Sequence, residues 1–385
     1  MADKTATETA TIEETPAAGG LRTRLAGIPV WAAAMPLLAL IAALTTSAAS
    51  GVWLVVLSVL LGAAIMAAVI HAETLAHYLG EPYGTLVLAF AVTVIECSLI
   101  VSIMLSEGSS AQALARDTLM AAIMLTINGF VGICLLAGGR RHHTQGYTRS
   151  GVSVGLAMLA TLAVLTLVLP NYTTSEPGPF YSQSQLLFVA VVSLIIYASF
   201  VVAQTIRHRD FFLFDLAKSE EDDDDGIDHH PPVGRKTALL AGALMLPALV
   251  AVVLLAKALS PAIEATVSDA GLPRAVVGII IATLVLAPEG FAALRAARAN
   301  RLQTSLNLAI GSALATIGLT IPAVAITALV LGLDLQLGLG ASHMILLGLT
   351  LLVSSLTLST GRTNMMLGVV HLVLFASYLF LSLEP

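Results

Sequence analysis

Residues 86–105 read "LVLAFAVTVIECSLIVSIML", and they hold a carboxylate, Glu96, in a run that is otherwise apolar or weakly polar. Coiled as an α-helix, such a run is as long as the roughly 30 Å hydrocarbon layer of a bilayer is thick. A charge placed in its middle costs on the order of 3 kcal/mol on insertion scales, so it is kept there for a reason. The stretch therefore predicts a membrane span and, within it, a functional residue.

Similar runs recur along the chain from Ile28 to Leu383. Hydrophobic residues make up 57% of the 385 and charged residues 11%, where a soluble domain carries about a quarter charged. The chain is predicted to be an all-α polytopic membrane protein, with nearly all of its fold solvated by membrane lipid. Eleven spans follow from run length, at 28–49, 52–72, 84–105, 117–137, 151–170, 184–205, 237–258, 274–295, 304–332, 342–359 and 363–383. The span at 304–332 contains Gly311, Gly318 and Pro322 and is expected to be tilted or broken.

Before the first span, residues 1–27 are polar, without a basic lead into an apolar stretch, and read as a disordered cytoplasmic tail. In the middle of the chain, "RHRDFFLFDLAKSEEDDDDGIDHHPPVGRK" at 207–236 reads as a cytoplasmic linker. Its acidic run, most simply solvated, could also concentrate cations near His229 and His230. Much of the net charge of -6 comes from this run, so it describes a loop and does not point to nucleic acid. Cys97 and Cys134 each fall within a span and read as packing residues, not as a disulfide framework.

The eighteen lysines and arginines set the orientation. With the N-terminus inside, only Arg116, Lys257 and Arg274 fall outside, a strong positive-inside bias. This places the chain in the cell's inner (plasma) membrane, with the N-terminus cytoplasmic and the C-terminus outside. Setting aside an extra N-terminal helix at 28–50, five spans precede the linker (51–206) and five follow it (237–385). An odd number of spans per half makes the second half enter from the opposite face, the condition for an inverted repeat.

The second span of the second half, "VVGIIIATLVLAPEGFAALRAA" at 276–297, matches the opening stretch in carrying a single glutamate, Glu289. In each half the next helix is rich in small and polar residues: "DTLMAAIMLTINGFVG" at 117–132 and "QTSLNLAIGSALATIGLTIP" at 303–322. Two carboxylates brought together in low dielectric cannot both stay ionised alone; they take up protons or share a cation. A hard divalent cation wants six to eight oxygens, for which Asn128, Ser305, Ser312 and Thr316 are the candidate supporting ligands beside Glu96 and Glu289. Pro288 and Gly290 flank Glu289 and predict a helix break exposing carbonyls to the ion. Glu73 and Glu81, in "HAETLAHYLGEPYG", lie at a cytoplasmic helix end and are candidates for gating or proton entry, or simply for snorkelling or capping. His371 in the last span reads as a packed, hydrogen-bonded histidine.

"GEPYGTLVLAFAVTVIE" at 80–96 and "APEGFAALRAARANRLQTSLNLAIGSALATIGLTIP" at 287–322 resemble the bacterial calcium/proton antiporters of the cation/calcium exchanger superfamily. The resemblance runs from about residue 50 onward. It implies two inverted five-helix repeats, with Glu96 and Glu289 in the places of the two repeat glutamates. The glycine-asparagine lead into each glutamate is replaced here by "TVIE" and "LAPE". The function expected is secondary antiport of Ca2+ against H+, with no cofactor. Na+/H+ or K+/H+ exchange is the alternative at the same carboxylates. An intramembrane enzyme has little support, since the chain shows no HExxH motif and no paired intramembrane aspartates.

Overall fold

The computed structural model describes residues 24–25, 27–45, 51–79, 83–212 and 233–384. The expected tail up to residue 23, Glu81 and the acidic run of the linker lie outside them. Eleven helical rods make up the described chain. A short helix α1 (Val30–Thr45) precedes α2 (Val52–Leu79) and α3 (Tyr83–Glu107). Helices α4 (Leu114–Ile123) and α5 (Val131–His142) form one rod through a π-helical turn at Met124–Phe130. Then come α6 (Arg149–Ala163) and α7 (Gln183–Val202). The second half holds α8 (Arg235–Asp269), α9 (Ala275–Arg298), α10 (Leu302–Leu331), α11 (Ala341–Thr357) and α12 (Met365–Leu383). Among the described residues, eight helices are long and apolar enough to cross a bilayer, and α1, α11 and residues 90–105 of α3 are shorter apolar helices.

The expected breaks in the second half are absent. Helix α9 runs unbroken through Pro288, and α10 through Pro322. A proline inside a membrane helix frees only local backbone groups, and packing against neighbouring helices lets the rod continue. The departure from α-geometry falls instead in the first half, where the Val131 amide reaches back five residues to the Thr126 carbonyl. Two other π turns, Val164–Val168 and Ala203–Arg207, lie at the ends of their rods.

Packing between helices displays the repeat. Helix α2 packs on α8, its counterpart in the other half. The packing of α3 on α10 is mirrored by that of α9 on α4, and α7 on α10 is mirrored by α12 on α5. Exchanging the halves therefore maps the packing onto itself. The α4–α5 rod and α10 form the centre. In the most apolar stretch of the former 83% of residues are buried, against 28% for α12, whose outer face carries Val370, Val373 and Phe380 toward the lipid position. Helix α1 stands outside the repeats and packs on both α2 and α8. The His71 Nε2 of α2 hydrogen-bonds the Ala32 carbonyl of α1 at 2.9 Å.

Loops from both repeats meet at each end of the bundle, as an inverted repeat requires. At one end, strand β1 (Thr144–Gly146) pairs antiparallel with β2 (Arg362–Asn364). There Gln145 donates to the Ala297 carbonyl at 2.8 Å, and the Thr148 amide donates to Gln303 Oε1 at 2.7 Å. At the other end, Asn171 donates to the Leu339 carbonyl at 2.9 Å and the Gln336 amide to the Gln112 carbonyl at 3.1 Å. Arg140, Arg141, Arg149, Arg298 and Arg362 belong to the first end, and Arg116 to the second, which is the charge asymmetry read from the sequence.

Candidate functional site

Helix α10 brings the two glutamates together. Thr316 Oγ1 donates to Glu96 Oε2 at 2.7 Å, across the repeats, and Ser312 Oγ donates to Glu289 Oε2 within its own repeat. Ser312 and Thr316 are four residues apart, so the carboxylates meet one face of one helix about 6 Å apart along its axis. Glu96 is 0% exposed and Glu289 6%. Glu96 Oε1 is buried and, among the described residues, has no hydrogen-bond partner. A third hydroxyl continues the ladder, since Thr320 Oγ1 lies 3.2 Å from Cys97 Sγ, one residue past Glu96.

Why α10 can do this is visible in its composition. Its small residues Ala309, Ala313, Ala315 and Gly318 are at most 3% exposed or tightly covered, so neighbouring helices approach its backbone closely. A Cβ at Gly318 would stand 2.5 Å from the Tyr197 Cβ of α7. The counterpart in the other half is Gly132, where an added Cβ would stand 3.1 Å from the His371 Cβ of α12.

These two glycines fix a register between the central helices. "TINGFVG" (126–132) sets Thr126, Phe130 and Gly132 against Ser312, Thr316 and Gly318 of "SALATIG" (312–318). A second contact agrees: Thr316 meets Glu96, and Phe130 meets Gly290, the residue after Glu289. The repeat equivalent of Ser312 is thus Thr126, fully buried, whose hydroxyl turns back to the Ala122 carbonyl at 2.7 Å. Its presence in the polar third span was visible in the sequence, but its register was not.

Two of the expected supporting ligands are elsewhere. Asn128 faces away from the carboxylates: its Nδ2 donates to Thr350 Oγ1 of α11 at 2.8 Å, and its Oδ1 lies 3.0 Å from His371 Nδ1 of α12. Ser305 hydrogen-bonds Cys134 of α5. Polarity alone marks both in the sequence, and helical rotation carries them to other interfaces. Glu73 is half-buried near the end of α2 and is no hydrogen-bond partner of either carboxylate; Glu81 lies outside the described residues. Cys97 and Cys134 are free, as packing residues would be. Among the described residues no group of three or more His, Cys, Asp or Glu side chains forms a ready metal cage.

Two inverted five-helix repeats with a glutamate from each meeting at the central helices define a secondary exchanger, and the chain belongs to the family described as sodium/calcium exchanger protein, which matches residues 49–206 and 240–384. The two matched blocks are the two halves of the fold. Its relatives include y4hA of Sinorhizobium fredii (strain NBRC 101917 / NGR234), a candidate ionic transporter by its name, 44% identical over 373 residues that cover 95% of this chain and 99% of that one. ChaA of Escherichia coli (strain K12), named a sodium-potassium/proton antiporter, is 39% identical over 309 residues, 80% of this chain and 82% of that one. The crystal structure of the H+/Ca2+ exchanger CAX shares the fold, with a TM-score of 0.68 at 17% identity, covering 91% of this chain and 87% of that one. The chain is accordingly a multi-pass membrane cation exchanger and not an enzyme.

Proposed function

We propose that this chain moves Ca2+ out of the cytoplasm in exchange for protons, by alternating access at one site shared by Glu96 and Glu289. The observation that carries the reading is the pair of buried carboxylates, one from each repeat, hydrogen-bonded to hydroxyls one turn apart on α10. Charge balance does the rest. One divalent cation or two protons neutralise the pair, while the empty, doubly ionised site is penalised by burial and repulsion. Loaded forms can then reorient and the empty form cannot, which couples the two fluxes. For Ca2+ the carboxylates supply the charge, and Ser312 and Thr316 offer hydroxyl oxygens beside them. Glu96 Oε1, buried and without a hydrogen-bond partner among the described residues, offers a further oxygen.

A second reading, Na+/H+ or K+/H+ exchange, is favoured by the 39% identity to a relative named a sodium-potassium/proton antiporter. The same two carboxylates would then hold one monovalent ion and one proton. In either case the positive-inside bias puts the loop end bearing Arg140, Arg149 and Arg298, the N-terminus and the acidic linker in the cytoplasm of a plasma-membrane protein, with the C-terminus outside.

The discriminating experiment is proton flux in proteoliposomes on addition of Ca2+, Na+ or K+ in turn. The proposal expects Ca2+ to drive the largest flux. Flux with Na+ or K+ alone would establish the second reading, and flux with none of them would overturn both.

A further inference from the structure

The π turn at Met124–Phe130 is held from outside by a buried polar network. His371 of α12 is 0% exposed, and its Nδ1 lies 3.0 Å from Asn128 Oδ1 in the turn. An amide oxygen only accepts, so Nδ1 carries the proton and donates. Asn128 Nδ2 in turn donates to Thr350 Oγ1 at 2.8 Å. The other imidazole nitrogen, Nε2, lies 2.9 Å from Thr357 Oγ1. Two helices of the second repeat, α11 and α12, thus grip one turn of the first.

An apolar pair would join these helices without desolvating an imidazole and an amide, whose burial is tolerated only because each is bonded. The turn they hold has a particular position. Phe130, its last residue, lies against Gly290 beside Glu289, and Thr126, one turn earlier, is the repeat equivalent of Ser312. Single π turns inside helices are frequent at functional sites.

We propose that His371 is a positioning residue of the exchange site: through Asn128 it holds the π turn of α4–α5 so that Thr126 and Phe130 face the glutamate pair. Asn128 therefore acts on the site by placing its wall and not as an ion ligand. The inference rests on the two-glutamate reading of the site.

The test measures cation-dependent proton flux in proteoliposomes, using whichever of Ca2+, Na+ and K+ drives it in the parent, over a range of cation concentrations. Removing a group that orients an ion site typically lowers affinity by about tenfold or more. His371→Ala is expected to raise the half-saturating concentration by about that factor, with the maximal rate falling much less. His371→Asn puts an amide N–H where Nδ1 stood and is expected to restore most of the affinity; a role in packing alone would not be rescued by this smaller side chain. Thr350→Val keeps size but removes the acceptor for Asn128 Nδ2, and is expected to shift half-saturation in the same direction. Should His371→Ala fail to fold, His371→Asn and Thr350→Val decide between them. An unchanged half-saturating concentration in folded His371→Ala or in Thr350→Val would overturn the proposal, as would a His371→Asn protein as impaired as His371→Ala. Failure of the underlying reading shows separately, as undiminished flux in Glu289→Gln.

Discussion

The two glutamates differ in what surrounds them. Glu289 is bonded to a hydroxyl of its own repeat, and Glu96 to one of the other repeat, with its second oxygen unpartnered among the described residues. Glutamine at either position keeps the size and the hydrogen bond but cannot release a proton or neutralise a cation. Glu96→Gln and Glu289→Gln are each expected to abolish coupled exchange while purifying as folded protein; normal cation-driven proton flux in either would remove that residue from the mechanism. Thr316→Val deletes a hydrogen bond to a charged group, worth about 1.5–3 kcal/mol, so apparent cation affinity is expected to fall by roughly tenfold or more. A titration of flux against cation concentration checks this, and an unchanged half-saturation would make the hydroxyl incidental. Both glutamates were legible in the sequence because a carboxylate in an apolar run stands out. Asn128 and Ser305 were misplaced because polarity marks a residue as special without saying which interface helical rotation gives it. Thr126 could be aligned with Ser312 only after the glycines under His371 and Tyr197 had fixed the register.

Among the elements, α10 does most of the work, since it carries both hydroxyls and packs on the helices of both glutamates. Its closeness to α7 depends on Gly318. With a Cβ there only 2.5 Å from that of Tyr197, Gly318→Ala must push the helices apart. Overpacking of this kind costs about 1–3 kcal/mol, so a lowered thermal midpoint in detergent is expected, and an unchanged one would mean the interface yields freely. The spans and their order were readable from run length, and the inversion from their odd number per half. Helix continuity was not. Pro288 and Pro322 signalled breaks that neighbouring helices suppress, whereas no residue in "MLTIN" (124–128) announces a π turn whose hold comes from Thr350 and His371, more than two hundred residues away.

For the whole molecule, the inverted repeat places one carboxylate from each half where the halves meet, so a change in how the halves pack can expose the same pair to either side of the membrane. On the proposed function, protons and cation compete for that pair. Since the cation needs the deprotonated form, apparent affinity is expected to strengthen as pH rises through the pair's titration range and to level off above it. The acidic run of the linker is distant in sequence from both spans. Deleting Glu220–Asp225 is expected to change apparent affinity modestly and to leave the pH dependence in place. Flux measured at several pH values in parent and deletion checks both statements; dependence lost only in the deletion would move the binding chemistry to the linker. The central claim, that one pair of carboxylates holds cation and protons by turns, is tested most directly by counting protons released when Ca2+ is added to the purified protein in weak buffer. The account predicts release that diminishes as the starting pH is raised and disappears in Glu96→Gln and Glu289→Gln. Ca2+ binding without proton release at any pH, or release undiminished in both variants, would contradict it.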